Sequence, residues 1–315
     1  MYRFMLHKTV NLESDYLALF STPSWITRKK RFESLIRQGK LSMPSLVGMT
    51  YEKVLVAPFE KLVDIYYEYQ KISKSLSTRD NTTLRRCFPY KGASSNIMQF
   101  IESRVRFSST TCHYCDCIDI FIGKTTNDVR NYHLDHYLDR AKCPILALSL
   151  NNLIPVCPFC NMKKATNKFG VNPLQTKLLS PFNPSYDFEN QVQIKVHMGG
   201  VDDTAKIKTS ESYKNIDIRF DFKAGADIYT KETDVTKIEE RFYNNKQSNA
   251  YAEMAGMYEY LYSPRSRFSR WIDRIAARDK KNAYVPLPNE AERRGGKRVK
   301  YDKFRRDMEK QNKGK

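Results

Sequence analysis

A chain of 315 residues with 41% hydrophobic and 12% aromatic side chains can fill a core in one large or two ordinary domains, which excludes a disordered protein. Its 54 Lys and Arg against 35 Asp and Glu leave a net charge of +19 and a pI near 9.5, a balance that favours polyanionic partners such as nucleic acid without identifying one. The opening MYRFMLHKTVNLESD has no apolar run of secretory length, and nowhere do about 18 uncharged apolar residues follow one another, so a soluble, cytoplasmic protein without membrane association is expected.

Residues 1–105 read as a mainly helical region. The run from Phe59 to Leu76 places Leu62, Ile65, Tyr66 and Tyr69 at helical spacing, and a second helix is expected over Ser95 to Val105. Residues 106–185 change character: Cys, Asp and His cluster, turns multiply, and short β-type runs appear, among them Ile118 to Gly123. Residues 186–277 are expected to be mixed, with two or three strands between Val192 and Phe222, where QVQIKVHM and NIDIRFDF alternate, and helices from Asp234 to Ala277. The stretch 278–315 is rich in charge, Pro and Gly and poor in aliphatic anchors, so a flexible basic tail is expected. From Pro264 to the end there are 18 basic and 7 acidic residues, which places +11 of the +19 in the last sixth of the chain. That excess reads either as a solubilising tail or as a phosphate-gripping arm whose binding weakens steeply with salt.

Seven cysteines is an odd number, and four of them form two C-x-x-C pairs, Cys112-His-Tyr-Cys115 and Cys157-Pro-Phe-Cys160. Two thiolates separated by two residues bind one ion from a single tight turn, and two such knuckles complete a tetrahedron. In a reducing compartment this pattern points to metal in place of disulfides, so one structural Zn2+ on Cys112, Cys115, Cys157 and Cys160 is expected. Four soft ligands leave no open position for water, and a zinc of this kind holds structure without doing chemistry. Cys87, Cys117 and Cys143 read as ordinary semi-buried thiols, although Cys117 and His113 are close enough in sequence to be substitute ligands.

Between the knuckles lies YHLDHYLDR, with Asp135 and His136 at the end of an expected strand, and the second knuckle opens a helical run, CNMKKATNKF. An Asp-His pair is followed by Asn152 ahead of the apolar Leu-Ile-Pro-Val, then by Cys157-Pro-Phe-Cys160, then directly by Asn161, with Lys164 three residues on. This order resembles the HNH (ββα-metal) endonuclease superfamily over roughly Cys112 to Gly170, about a fifth of the chain. The resemblance implies a zinc-stapled ββα core around one catalytic divalent ion. The expected class is therefore α+β, with an HNH core embedded in a mostly helical protein that carries a small β region and a basic tail.

The resemblance also implies roles. Asp135 and Asn161 would hold Mg2+ or Mn2+, which hard oxygen donors suit. His136 would be the general base that deprotonates a water in line with a phosphodiester, leaving 5′-phosphate and 3′-hydroxyl ends. Asn152 would orient His136 or lock the intervening loop without touching metal. His133, two residues before Asp135, points to the same side of a strand and is a further candidate ligand. Lys164 reads either as a phosphate contact or as part of a solvated helix face. Asn161 taken alone also reads as a helix cap, and Asp139 is a softer candidate.

A narrower likeness covers more of the chain: Phe88-Pro-Tyr-Lys91, CHYC, LDHYLDRAKCPILALSLNNLIPVCPFCNMKK and SPFNPSYDF resemble HNH proteins found beside ATPases in bacterial anti-phage systems, including Septu-like and retron-associated ones. It implies a partner ATPase and a role in antiviral defence, while Cys143 and the basic tail depart from that pattern. DNA is the favoured substrate, with tRNA or other RNA as the alternative. Two other classes compete, a non-catalytic zinc module that binds nucleic acid and an assembly subunit with a decayed core. The zinc module has no need of Asp135, His136 and Asn161 at these spacings.

Overall fold

The computed structural model describes residues 6–7, 11–104, 106–107, 111–118, 120, 130–167, 169–198, 216–230, 233, 240, 304 and 306–308. The chain divides into two compact units, one drawn from residues 2–108 and 120–187 and the other from residues 1, 109–119 and 188–315. Helices dominate the first unit and small two-stranded sheets occur in both, so the architecture is α+β.

In the first unit β1 (Leu6–His7) leads into α1 (Leu12–Ala18), α2 (Pro23–Arg37), α3 (Tyr51–Leu55), α4 (Phe59–Ile72), α5 (Thr78–Cys87) and α6 (Tyr90–Arg104), after which β2 (Arg106–Phe107) pairs antiparallel with β1. The start signals are local. Pro23 sits in the first turn of α2, Thr50 Oγ1 accepts the Lys53 N–H at 3.2 Å, and Ser77 Oγ accepts that of Asp80 at 3.0 Å. α4 buries Leu62, Ile65, Tyr66 and Tyr69, the face its spacing predicts, and ends at Ile72, four residues short of the expected Leu76. α6 begins five residues earlier than expected. Its apolar spacing becomes regular only at Ile97, and the polar first turns behind Pro89 hide the true start.

The same unit then carries β3 (His133–His136), β4 (Leu153–Val156), α7 (Pro158–Lys164) and α8 (Pro173–Leu178). β3 and β4 are antiparallel, with His133 opposite Val156 and His136 opposite Leu153. Pro155 is tolerated because each strand of a two-stranded sheet is an edge. The loop joining them is tied to the helical region by hydrogen bonds: Tyr16 Oη donates to Leu148 O at 2.7 Å and Ser149 Oγ to Val54 O at 3.0 Å, both buried, and Asn151 Nδ2 donates to Ala57 O, between α3 and α4, at 2.8 Å. Beyond α7, a Cβ on Gly170 would run into the Thr176 backbone, so only glycine permits this approach of the chain to α8. Thr176 Oγ1 is itself hydrogen-bonded to Tyr67 Oη of α4 at 2.8 Å.

The second unit contains α9 (Phe188–Gln191), β5 (Val192–Met198) and β6 (Ile216–Phe222), with Val192 opposite Phe222 and Met198 opposite Ile216. The Phe188 ring packs at 6.4 Å from that of Phe220 and 5.6 Å from that of Tyr229, centroid to centroid. Part of the expected flexible tail is packed here. Phe304 and Met308 are buried, Asp307 Oδ2 accepts the Ile194 N–H at 2.7 Å, and Arg306 pairs with Glu189 at 2.6 Å. Phe304 and Met308 are four residues apart and share one face of a helical turn, a spacing that a count of charges conceals. The helices expected over 234–277 and the strand expected over 118–123 fall almost wholly outside the described residues. Among the described residues no helix is long and apolar enough to cross a membrane.

Candidate functional site

Cys112, Cys115, Cys157 and Cys160 are all buried, none is in a disulfide, and their four Sγ atoms lie within 4.8 Å of one another. A tetrahedral ion with Zn–S bonds of about 2.3 Å needs sulfurs about 3.8 Å apart, which this cluster accommodates. Four thiol donors with no carboxylate or water position suit a structural ion such as zinc. Each knuckle is shaped by its own backbone. Cys157 is the N-cap of α7, and its Sγ accepts the Cys160 N–H at 3.5 Å. In the other knuckle the Cys112 N–H donates to Ile118 O at 2.8 Å, and Asp116 adopts a positive φ of 56° while accepting from Thr111 Oγ1 at 2.8 Å. Cys117 and His113 are not members of the cluster. The Cys117 thiol donates to Cys115 O at 3.0 Å, and its N–H points at the Cys115 sulfur at 3.5 Å, a supporting contact.

His136, at the end of β3, is 8% exposed, and its Nε2 lies 2.9 Å from Ala147 O. A carbonyl only accepts, so Nε2 carries the proton and the neutral ring presents its lone pair at Nδ1. Burial pushes the His136 pKa down to about 4, opposed by the Ala147 hydrogen bond, with Arg140 lowering it further, Asp135 raising it and Lys164 lowering it. The ring is therefore neutral near neutral pH. The Tyr90 ring meets it edge to face at 4.4 Å.

Asn152 is fully buried and does not bond to His136. Its Oδ1 accepts the Leu138 N–H at 2.7 Å, and its Nδ2 donates to Leu138 O at 3.0 Å and Leu146 O at 3.2 Å. It thus locks both ends of the β3–β4 loop and holds the residue next to Ala147, the carbonyl partner of His136. Of the two roles expected for Asn152, the structure contains the loop lock.

Asp135 and Lys164 form a buried ion pair, with Nζ at 3.0 Å from Oδ2 and 3.3 Å from Oδ1, and Nζ also donates to His136 O at 2.9 Å. Lys164 is 0% exposed, so it belongs neither to a solvated helix face nor to a surface that meets phosphate directly. Its position at the end of α7 brings the cation back against β3, and only the carboxylate there makes burial tolerable. Asn161 is not a cap, since Cys157 has that place. Its Nδ2 donates to His133 Nδ1 at 3.0 Å, which leaves Oδ1 as the oxygen a cation could use.

His133, Asp135, His136 and Asn161 all line one cleft of about 470 Å3, together with Asp139, Arg140 and Tyr90. Carboxylate, amide and imidazole donors in one opening fit a hard divalent ion that keeps part of its water. Asp135 brings the carboxylate to this opening, with Lys164 against both of its oxygens. Tyr90 and the Ala147 carbonyl act on the base although the sequence assigns neither a role. Tyr90 is inside the Phe88-Pro-Tyr-Lys91 stretch, but a backbone carbonyl leaves no mark in a sequence. Comparison of the chain with protein-family models, curated proteins and solved structures gives no match in any of the three.

Proposed function

We propose that this chain is a metal-dependent endonuclease of the HNH type that hydrolyses phosphodiester bonds of nucleic acid, with DNA favoured. The observation that carries the reading is the Nε2–H bond from His136 to Ala147 O, which leaves the lone pair at Nδ1 on a residue that lines the same cleft as Asp135 and Asn161. Order β3, β4, α7 agrees with the ββα core that the sequence resemblance implies. A defence role and an ATPase partner rest on that resemblance alone.

In this reading His136 Nδ1 takes a proton from water as the water oxygen bonds to phosphorus and the P–O3′ bond breaks; the 3′-oxygen leaves with the electron pair and takes a proton from solvent water, and His136 returns its own to solvent. The Tyr90 ring, packed at 4.4 Å from the imidazole and itself stacked by Arg140, restricts the ring to that task. Mg2+ or Mn2+ held by Asp135 and Asn161 would supply charge neutralisation at the scissile phosphate, while His133, whose Nδ1 lone pair takes the Asn161 amide proton, orients Asn161 and adds no ligand of its own. Asn152 positions the base through the loop, and Lys164 holds Asp135 at the strand end.

A second reading, a non-catalytic zinc module, has one observation in its favour: Asp135 already has a charge partner in Lys164. It leaves the fixed His136 tautomer without a use. The test gives supercoiled plasmid and tRNA, in Mg2+ and in Mn2+, to the chain together with whatever co-purifies from its native host. The proposal expects cleavage with 5′-phosphate ends, slowed by about 10²–10⁴-fold in His136→Ala. Cleavage of neither substrate, or full activity in the variant, would overturn it.

A further inference from the structure

Tyr90, Asp139 and Arg140 also line a second cleft, of about 430 Å3, whose other walls include Arg85, Lys91 and Ala147. Ala147 is the residue whose carbonyl fixes His136, so the two clefts share the residues around the base. The second cleft has three cations, Arg85, Lys91 and Arg140, against one carboxylate, Asp139. Its volume falls in the range of about 300–1,000 Å3 typical of sites for single small molecules, which fits one nucleotide and not a duplex.

Arg140 is held ready. Its Cζ stands 4.7 Å over the Tyr90 ring centroid, and the same ring meets His136 at 4.4 Å, so one side chain braces both the cation and the base. Arg85 donates to Ala141 O at 3.2 Å and supports the loop that carries Arg140. Asp139 is 8% exposed. Its Oδ1 accepts the Ala141 N–H at 2.8 Å, but among the described residues its buried Oδ2 has no hydrogen-bond partner. A buried acceptor left unsatisfied is costly, and a donor brought in by a ligand relieves that cost.

We propose that this second cleft is a nucleotide subsite: Arg140, Arg85 and Lys91 grip a backbone phosphate, and Asp139 Oδ2 takes a hydrogen bond from a donor on the same nucleotide. Placing that nucleotide next to the scissile phosphate rests on the nuclease reading above; the subsite itself does not. Phosphate contact gives affinity without sequence information, whereas a buried acceptor rejects a nucleotide that lacks the matching donor. The donor is a ribose 2′-hydroxyl or a base amino group, and the two are separated by the choice of probe.

Binding is measured in a His136→Ala background with short single-stranded DNA and RNA oligonucleotides, over a salt series and with one base or sugar changed at a time. Arg140→Ala should weaken binding and flatten the slope of log K against log salt by about 0.7, as loss of one phosphate contact to a single strand requires, and Arg140→Lys should restore the slope. Asp139→Asn retains an oxygen for the Ala141 N–H but presents an amide where the acceptor was. It should leave the salt slope unchanged and abolish at least a tenfold preference shown with Asp139. A preference lost on 2′-deoxy substitution identifies the hydroxyl, and one lost on base substitution identifies the amine. An unchanged slope in Arg140→Ala, or the same preference with Asn at 139, overturns the subsite. A chain that cleaves nothing but shows this binding pattern overturns the nuclease reading and keeps the subsite.

Discussion

The cysteine cluster and the His136 cleft meet opposite demands. In the cluster every donor is a buried sulfur of one kind, supplied by two short knuckles, and the set is closed to water. In the cleft the donors are mixed, one cation already sits on the carboxylate, and the base owes its tautomer to a carbonyl eleven residues away. A closed soft-ligand set is specified by residue type and spacing. An open reactive site is specified by what surrounds each residue, which is why a change at the first should act on the fold and a change at the second on charge and rate.

The largest expected effect is at the cluster. Cys157→Ser should abolish zinc binding at the cluster and unfold the hairpin and α7, because a structural zinc supplies on the order of 10 kcal/mol of apparent binding energy. Metal content and thermal melting check this, and a well-folded, metal-free wild type would contradict it. Next comes the ion pair. Lys164→Ala leaves a buried carboxylate unpaired and should cost about 3–5 kcal/mol in denaturant unfolding, while Lys164→Met combined with Asp135→Leu should recover most of the loss. A cost below about 1 kcal/mol would mean that water reaches Asp135.

The comparison extends to acid. Unfolded His136 takes a proton near its ordinary 6.5, whereas in the fold it does so only near 4. Between those values the unfolded chain binds more protons, so stability is full above about pH 6.5 and falls as the pH drops toward 4, by about 3 kcal/mol in all. His136→Phe should remove that part of the slope; an identical slope in the variant would show that other groups produce it. The smallest effect is at the loop lock. Asn152→Ala strips three buried hydrogen bonds and should cost about 1–3 kcal/mol while lowering activity through a loosened Ala147 carbonyl.

Legibility follows the same division. The two knuckles and the buried face of α4 are readable because their signals are local, spacing of two between cysteines and of three or four between Leu62, Ile65, Tyr66 and Tyr69. The burial of Lys164 is not, since beside Lys163 it looks like a solvated cation until β3 brings Asp135 to it. Nor is the tie of His136 to Ala147, which involves a backbone atom, or the packing of Phe304 and Met308 inside a segment dominated by charge. Tyr90 and Arg140 stand in two stretches that carry the narrower likeness, but their stacking follows from the placement of α6 against the β3–β4 loop.

The buried ion pair also decides how the central claim is best tested. Asp135→Ala would strand the Lys164 cation and confuse metal loss with unfolding, whereas Asn161 is half-buried and, among the described residues, its side chain bonds only to His133. The most direct measurement is therefore a Mn2+ titration of nucleic-acid cleavage by wild type, Asn161→Ala and His136→Ala. Loss of one neutral oxygen ligand weakens cation binding, and excess of an ion more tolerant of geometry than Mg2+ compensates by mass action. Loss of the base leaves the cation bound and the water without a proton acceptor. The account predicts that Asn161→Ala recovers with rising Mn2+ and His136→Ala does not; equal recovery of both would contradict the assignment of His136 as the base.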